Sequence, residues 1–215
     1  MDIKQKAIKF ATEAHGDQVR KYCGSPYITH PIAVARIVET VPHTEEMITA
    51  AILHDVVEDT PVTIDEIKTE FGPVVAELVH YLTDVSVLAD GNRAHRKQLD
   101  CEHNAKGPAG AQTIKIADLI HNSSDIAKQD PKFWATYKIE KLNTLNALDK
   151  ADPKLNAPKA DAPKGSIGDG VWKKIGLRYQ VLKKAENSEK KQANFLFPVT
   201  DAYAQHLIEK EGVNS

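Results

Sequence analysis

Cysteine is nearly missing from this chain: Cys23 and Cys101 are the only two among 215 residues. Two thiols so distant in sequence cannot build a disulfide framework and fit a reducing compartment. No apolar run reaches membrane length. The opening stretch, MDIKQKAIKFATEAH, is amphipathic and charged, without the apolar centre of a secretory signal. These absences disfavour secretion and membrane spanning and predict a cytoplasmic protein. A strong charge of either sign is also lacking, since 28 Lys+Arg against 30 Asp+Glu leave a net charge of -2. Residues 1 to 148 carry 16 basic against 21 acidic side chains, and residues 149 to 215 carry 12 against 9. Neither part has the basic excess of a nucleic-acid-binding domain. An anionic small-molecule partner must therefore meet individually placed cations inside an acidic domain.

With 41% hydrophobic residues the chain can bury one real core. Its periodicity is helical almost throughout. Ile3, Ala7, Ile8, Phe10, Ala11 and Ala14 recur at three-to-four spacing, and a polar loop with Gly24 and Pro26 follows up to Tyr27. Pro31 suits the first turn of a second helix. Thr44 with Glu45 and Glu46 predicts the cap of a third, running to Val56. Thr63 and Glu66 form a capping-box pattern, Phe71-Gly72 ends that short helix, and Pro73 starts another. A polar helix is expected around Arg93 to Glu102, and a helix carrying Asp118, Asn122 and Asp125 at helical spacing. The fold class is thus all-α, a compact multi-helix bundle over residues 1–148. Residues 149–170, with three prolines and three glycines, read as a linker or long loop. Residues 171–215, with Trp172, Tyr179 and a helix over Ala202 to Ile208, read as a helical extension packing on the core or on a second copy in a homo-oligomer.

Chemistry concentrates in HDVVEDT. On one helix His54, Asp55 and Glu58 would share a face, bringing together an imidazole, a carboxylate ligand and an acid. His30 and Asp118 are good candidates for further ligands. Two imidazoles and two carboxylates suit Mn²⁺, Fe²⁺ or Zn²⁺ better than Ca²⁺, and no thiolate is at hand for a structural zinc site. A lone His-Asp pair is more often a paired core histidine, so the surrounding motifs decide the matter.

Three of them, GSPYITHPIAVARIV, AAILHDVVEDT and TIKIADLIHN, stand in an order and spacing that resemble the HD-domain alarmone hydrolases. That family comprises the hydrolase half of RelA/SpoT-type proteins and their stand-alone small relatives, and the resemblance spans roughly residues 1 to 145. It implies an all-helical HD domain in which His30, His54, Asp55 and Asp118 bind Mn²⁺. The implied reaction removes the 3′-pyrophosphate of ppGpp and pppGpp. The acid pair Glu58 and Asp59 would be catalytic, Glu58 activating or orienting water and Asp59 supporting it or handling the leaving group. Arg20 would stack on the base, Lys21 would sit near sugar or phosphates, and Asn122 would reach the nucleotide. Arg96 and Lys97, in HRKQ, and Tyr27 complete the candidate substrate contacts, although solvated helix charges and simple packing account for these three equally well.

Two departures stand out. Leu119 and Ser124 occupy positions where the family usually carries basic residues, which weakens the expected phosphate and base contacts. The roughly 65 residues after the core are too few for a typical second catalytic domain, so no alarmone synthesis is expected. Two alternatives keep part of this pattern: a 2′-phosphatase acting on NADPH, and a low-turnover module that binds a nucleotide or protein partner. The retention of both acids beside the metal residues argues against a pure binder.

Overall fold

A computed structural model describes residues 2–156, and every regular element among them is a helix. α1 (Ile3–His15) is capped by the Asp2 side chain and turns Ala7, Ala11 and His15 inward. A loop follows in which Val19 and Pro26 form an isolated antiparallel bridge. Gly24, at φ 68°, supplies the positive dihedral at its tip. α2 (Thr29–Val38) starts directly from that loop.

α3 (Glu45–Leu53) lies deepest. The Thr44 hydroxyl accepts from the Met47 amide, Glu45 and Glu46 complement the dipole, and all six residues from Ile48 to Leu53 are buried. A helix covered on every side has no polar face to keep, which explains its continuous apolar run. It packs against α1, α2, α6 and α8. Ile52, Leu53, Ile114 and Ile116 are fully buried at this centre, each worth about 1.5–3 kcal/mol of transfer free energy.

α4 (Val56–Asp59) is a single turn, and α5 (Ile64–Phe71) opens with the expected Thr63–Glu66 capping box. Gly72, at φ 89°, ends α5 and precedes α6 (Pro73–Leu82), whose first residue is Pro73. A 3-10 turn (Leu88–Asp90) leads into α7 (Arg93–Lys106), then α8 (Ala109–Gln129), α9 (Pro131–Ala147) and α10 (Pro153–Asn156).

One local expectation is corrected and two stretches are given detail that the sequence did not supply. The HDVVEDT signature does not ride one helix: α3 stops at Leu53, His54 and Asp55 form a turn, and α4 begins at Val56. Of the expected linker or long loop over 149–170 only residues 149–156 are described, and these lie against the core. Leu148, Ala151 and Leu155 are buried, and the Lys150 and Asp152 amides donate to the Gln112 and Thr113 side chains of α8 at 2.9 Å each. Finally, α9 has no counterpart in the sequence-based expectations, although Asp130 caps it by accepting from the Phe133 amide and Pro131 fills its first position. The expected C-terminal extension, 171–215, lies outside the described residues. No described helix is long and apolar enough to cross a membrane.

Candidate metal centre and its surroundings

Three elements converge on one point: the first turn of α2 brings His30, the α3–α4 turn brings His54 and Asp55, and the middle of α8 brings Asp118. The donor atoms of His30, His54 and Asp55 lie within 4.8 Å of one another. His30 Nε2 is 3.4 Å from Asp55 Oδ2 and 3.2 Å from Asp118 Oδ1, while His54 Nε2 is 3.1 Å and 3.8 Å from the same two atoms. Both imidazoles are 1% exposed. The break after Leu53 is what permits this convergence, because it lets two adjacent residues present their side chains to one centre.

The tautomers suit a cation. The Ala51 carbonyl accepts from His54 Nδ1 at 2.9 Å, which leaves Nε2 as the ligand atom. That Nε2 is buried and makes no well-formed hydrogen bond; only the carboxylates of Asp55 and Asp118 face it, at 3.1 and 3.8 Å, the surroundings a cation would share. His30 shares a 2.8 Å Nδ1–Nδ1 hydrogen bond with His121, so its Nε2 also faces the carboxylates. Burial opposes charge on His54, yet Asp55 and Asp118 outweigh it and push the imidazole up to about 10. Burial likewise opposes ionisation of Asp55 and Asp118, but the facing imidazoles, with Lys115 beside Asp118, hold both well below the usual carboxylate range. Two oxygen and two nitrogen donors, the buried His54 Nε2 among them, fit a divalent cation of the Mn²⁺, Fe²⁺ or Zn²⁺ kind.

A family model for the HD domain matches residues 7–143. The chain belongs to the HD-domain family. Its HD domain is 37% identical over 138 residues to the Homo sapiens protein named guanosine-3′,5′-bis(diphosphate) 3′-pyrophosphohydrolase MESH1, covering 63% of this chain and 75% of that one. It is 34% identical over 152 residues to a probable GTP pyrophosphokinase of Mycobacterium leprae, covering 69% of this chain but 19% of that longer protein. Among solved structures, one described as a metazoan ortholog of SpoT that hydrolyzes ppGpp aligns with a TM-score of 0.68 at 29% identity, over 82% of this chain and 97% of that one.

Around the HD centre the remaining candidates fall into two groups. Tyr27 donates to Asp55 Oδ2 at 2.8 Å. Asn122 donates to Asp118 Oδ1 at 2.6 Å and accepts from Arg20 Nη2 at 2.9 Å, so Arg20 and Asn122 are joined to the carboxylates of the candidate centre. Glu58 and Asp59 stand exposed at the edge of the site. Burial of its carboxyl among protein atoms, then Asp84, pushes Glu58 up to about 7 against the pull of Lys115, and Asp59 is raised by burial and Asp55. The second group lies farther out. Lys97 is paired with Asp84 and, at 3.0 Å, with Asp100, and reaches Glu58 only through Asp84, whose amide donates to Glu58 Oε2 at 3.2 Å. Arg96 has a buried Nε without a hydrogen-bond partner. Lys21 contacts Tyr22, its Nζ 4.9 Å from the ring centroid, and no described contact joins it to the candidate centre.

The structure adds residues that sequence reasoning passed over. Lys115 lies 3.7 Å from Asp118 Oδ2; it is the lysine of TIKIAD and sits one turn before that aspartate, a spacing that could have flagged it. His121 immediately precedes Asn122 in LIHN. Asp84 and Lys141 carry no local signal. Lys141 reaches the area only because α9 packs on α8, and burial, then Lys115, pulls its ammonium down to about 8. As for the two departures, Leu119 is 2% exposed within the core, so this helix position packs an apolar side chain where a charge was expected. The Ser124 side chain lies outside the described residues.

Proposed function

We propose that this HD domain is a manganese-dependent hydrolase that removes the 3′-pyrophosphate of ppGpp and pppGpp, giving GDP or GTP and pyrophosphate. The observation that carries the proposal is His54 Nε2, buried opposite Asp55, Asp118 and His30, with an acid pair four residues further on. The human relative, named for hydrolysis of guanosine-3′,5′-bis(diphosphate), and the metazoan protein that hydrolyzes ppGpp supply the substrate.

His30, His54, Asp55 and Asp118 would hold a divalent cation, which when bound would supply Lewis-acid polarisation of the phosphoryl group and acidification of water. Glu58, held near the pH of the cell, takes the proton of the attacking water. Water oxygen joins the 3′-phosphorus, the bond from phosphorus to the ribose 3′-oxygen breaks, and that oxygen takes up a proton, a step assigned to Asp59 on the same turn as Glu58. Arg20, fixed by Asn122, offers a planar guanidinium to the base. The resemblance adds Lys21, Tyr27, Arg96 and Lys97 as nucleotide contacts; of these Tyr27 adjoins Asp55, while Lys97 is engaged by Asp84 and Asp100 and Lys21 by Tyr22, and Lys115 adds a cation beside Asp118 that offsets phosphate charge. The reaction belongs in the cytoplasm, in keeping with Cys23 and Cys101, neither of which is in a disulfide.

The test is incubation of purified protein with ppGpp, with and without Mn²⁺, alongside NADPH and the Asp55→Ala variant, resolving nucleotides, phosphate and pyrophosphate. Manganese-dependent GDP and pyrophosphate from the wild type alone is the expected result. Phosphate from NADPH without turnover of ppGpp overturns the substrate and keeps the metal centre; silence on both shifts the weight to a binding module.

A further inference from the structure

His15 ends α1 as a buried imidazole for which the proposed reaction has no use. It is 3% exposed, and its ring centroid lies 4.6 Å from that of Tyr27. Its Nδ1 is 2.9 Å from Gln18 Oε1. The Gln18 amide fixes the sense of that bond: its Nε2 donates to the Asp59 main-chain carbonyl at 2.9 Å, so its oxygen faces His15 and the ring supplies the proton. His15 Nε2 is then left buried with no hydrogen-bond partner. A site that tolerates such an atom when a leucine could fill the space has a reason to keep an imidazole.

That reason lies in α4. One helical turn cannot hold its shape alone, because nucleation is unfavourable and there are too few bonds to offset it. Its last residue, Asp59, is fastened by Gln18, and the Asp55 side chain that precedes it is fastened by the Tyr27 hydroxyl at 2.8 Å. Both fastenings lead back to His15, one by a hydrogen bond and the other by ring packing. Arg20, two residues beyond Gln18, lies 5.8 Å from the Tyr27 ring, so the same bracket also carries the guanidinium.

We propose that His15 is a positioning residue which, through Gln18 and Tyr27, holds the His54–Asp59 turn so that metal ligand and acid pair address one substrate. The kinetic part of this proposal rests on the function proposed above. In the full chain, His15→Ala and Gln18→Met are expected to lower kcat for ppGpp by about 10- to 100-fold with KM changed less than about threefold, the mark of misplaced catalytic groups. Both variants should speed hydrogen exchange at the Asp59 and Thr60 amides, which close α4 on Asp55 and Val56. His15→Asn keeps an N–H facing Gln18 and should restore most of kcat. Near-wild-type kcat with unchanged exchange in both variants overturns the proposal, as does an Asn variant no better than Ala whose loss follows a general fall in Tm. Should the wild type leave ppGpp untouched, the proposed function falls, and exchange alone decides: acceleration confined to α4 supports the bracket, while unchanged or uniformly faster exchange sinks it.

Discussion

The Tyr27 hydroxyl donates to Asp55 Oδ2 at 2.8 Å, the same oxygen that faces both His30 and His54. Burial, then Asp55 and Asp59, raises the phenol far above its ordinary range, so it remains a donor at every working pH. Tyr27→Phe removes only that hydroxyl. The expected outcome is a loss of about 10- to 100-fold in Mn²⁺ affinity, typical when a partner that orients a ligand is deleted. Titration of metal-free protein with Mn²⁺ checks this, and an unaltered affinity would show that packing alone orients Asp55.

Arg20 and Asn122 are 102 positions apart in sequence yet share a 2.9 Å hydrogen bond. Arg20→Ala and Asn122→Ala should each raise KM for ppGpp, and the double variant should fall short of the summed effects by about 0.5–3 kcal/mol, as contacting residues do. A four-way comparison of kcat/KM gives the coupling directly. Additive losses would mean that the two residues serve the substrate independently.

Much of this arrangement could be read from the chain. Capping residues Thr44 and Thr63 and the stops at Gly72 and Pro73 follow from local backbone chemistry, which is why those helix ends matched. His30, His54, Asp55 and Asp118 were legible as ligand types, and they meet because α2, the α3–α4 turn and α8 adjoin in one core. What was not legible depended on packing between distant segments. Periodicity cannot reveal the turn at His54 and Asp55, since both remain close to helical dihedrals. Composition marked residues 149–156 as linker because the partners of Lys150 and Asp152, Gln112 and Thr113, sit 38 and 39 positions away. His15 looked like the end of an amphipathic face, and only its contacts with Gln18 and Tyr27 separate it from ordinary core.

Glu58 supplies the pH dependence. With its carboxyl at about 7 in the folded protein, the base form grows as pH rises, so kcat should climb through that region and level off above it. A bound cation attracts the carboxylate and moves the inflection lower. The same elevation bears on stability: the folded state holds this proton more tightly than the unfolded chain, so its contribution declines from about pH 4.5 to about 7. Glu58→Gln should therefore abolish the rise in rate and be more stable than wild type at pH 8, with the gap closing towards pH 4.5. Rate profiles and thermal melts across that range test both halves.

The apolar residue after Asp118 offers the last test. Leu119 is 2% exposed and belongs to the hydrophobic core, so restoring the basic residue expected there cannot simply add a phosphate contact. A lysine at this depth must either lose its proton or drag water inward, and neither outcome is offset by a partner. Leu119→Lys should cost several kcal/mol, on the order of 3–5, whereas the volume-conserving Leu119→Met should cost less than about 1.5. Denaturant melts of the two variants measure the difference. A lysine variant as stable as wild type, with a lower KM for ppGpp, would mean that α8 can turn this position towards the nucleotide and that the leucine is a choice made at the site, not in the core.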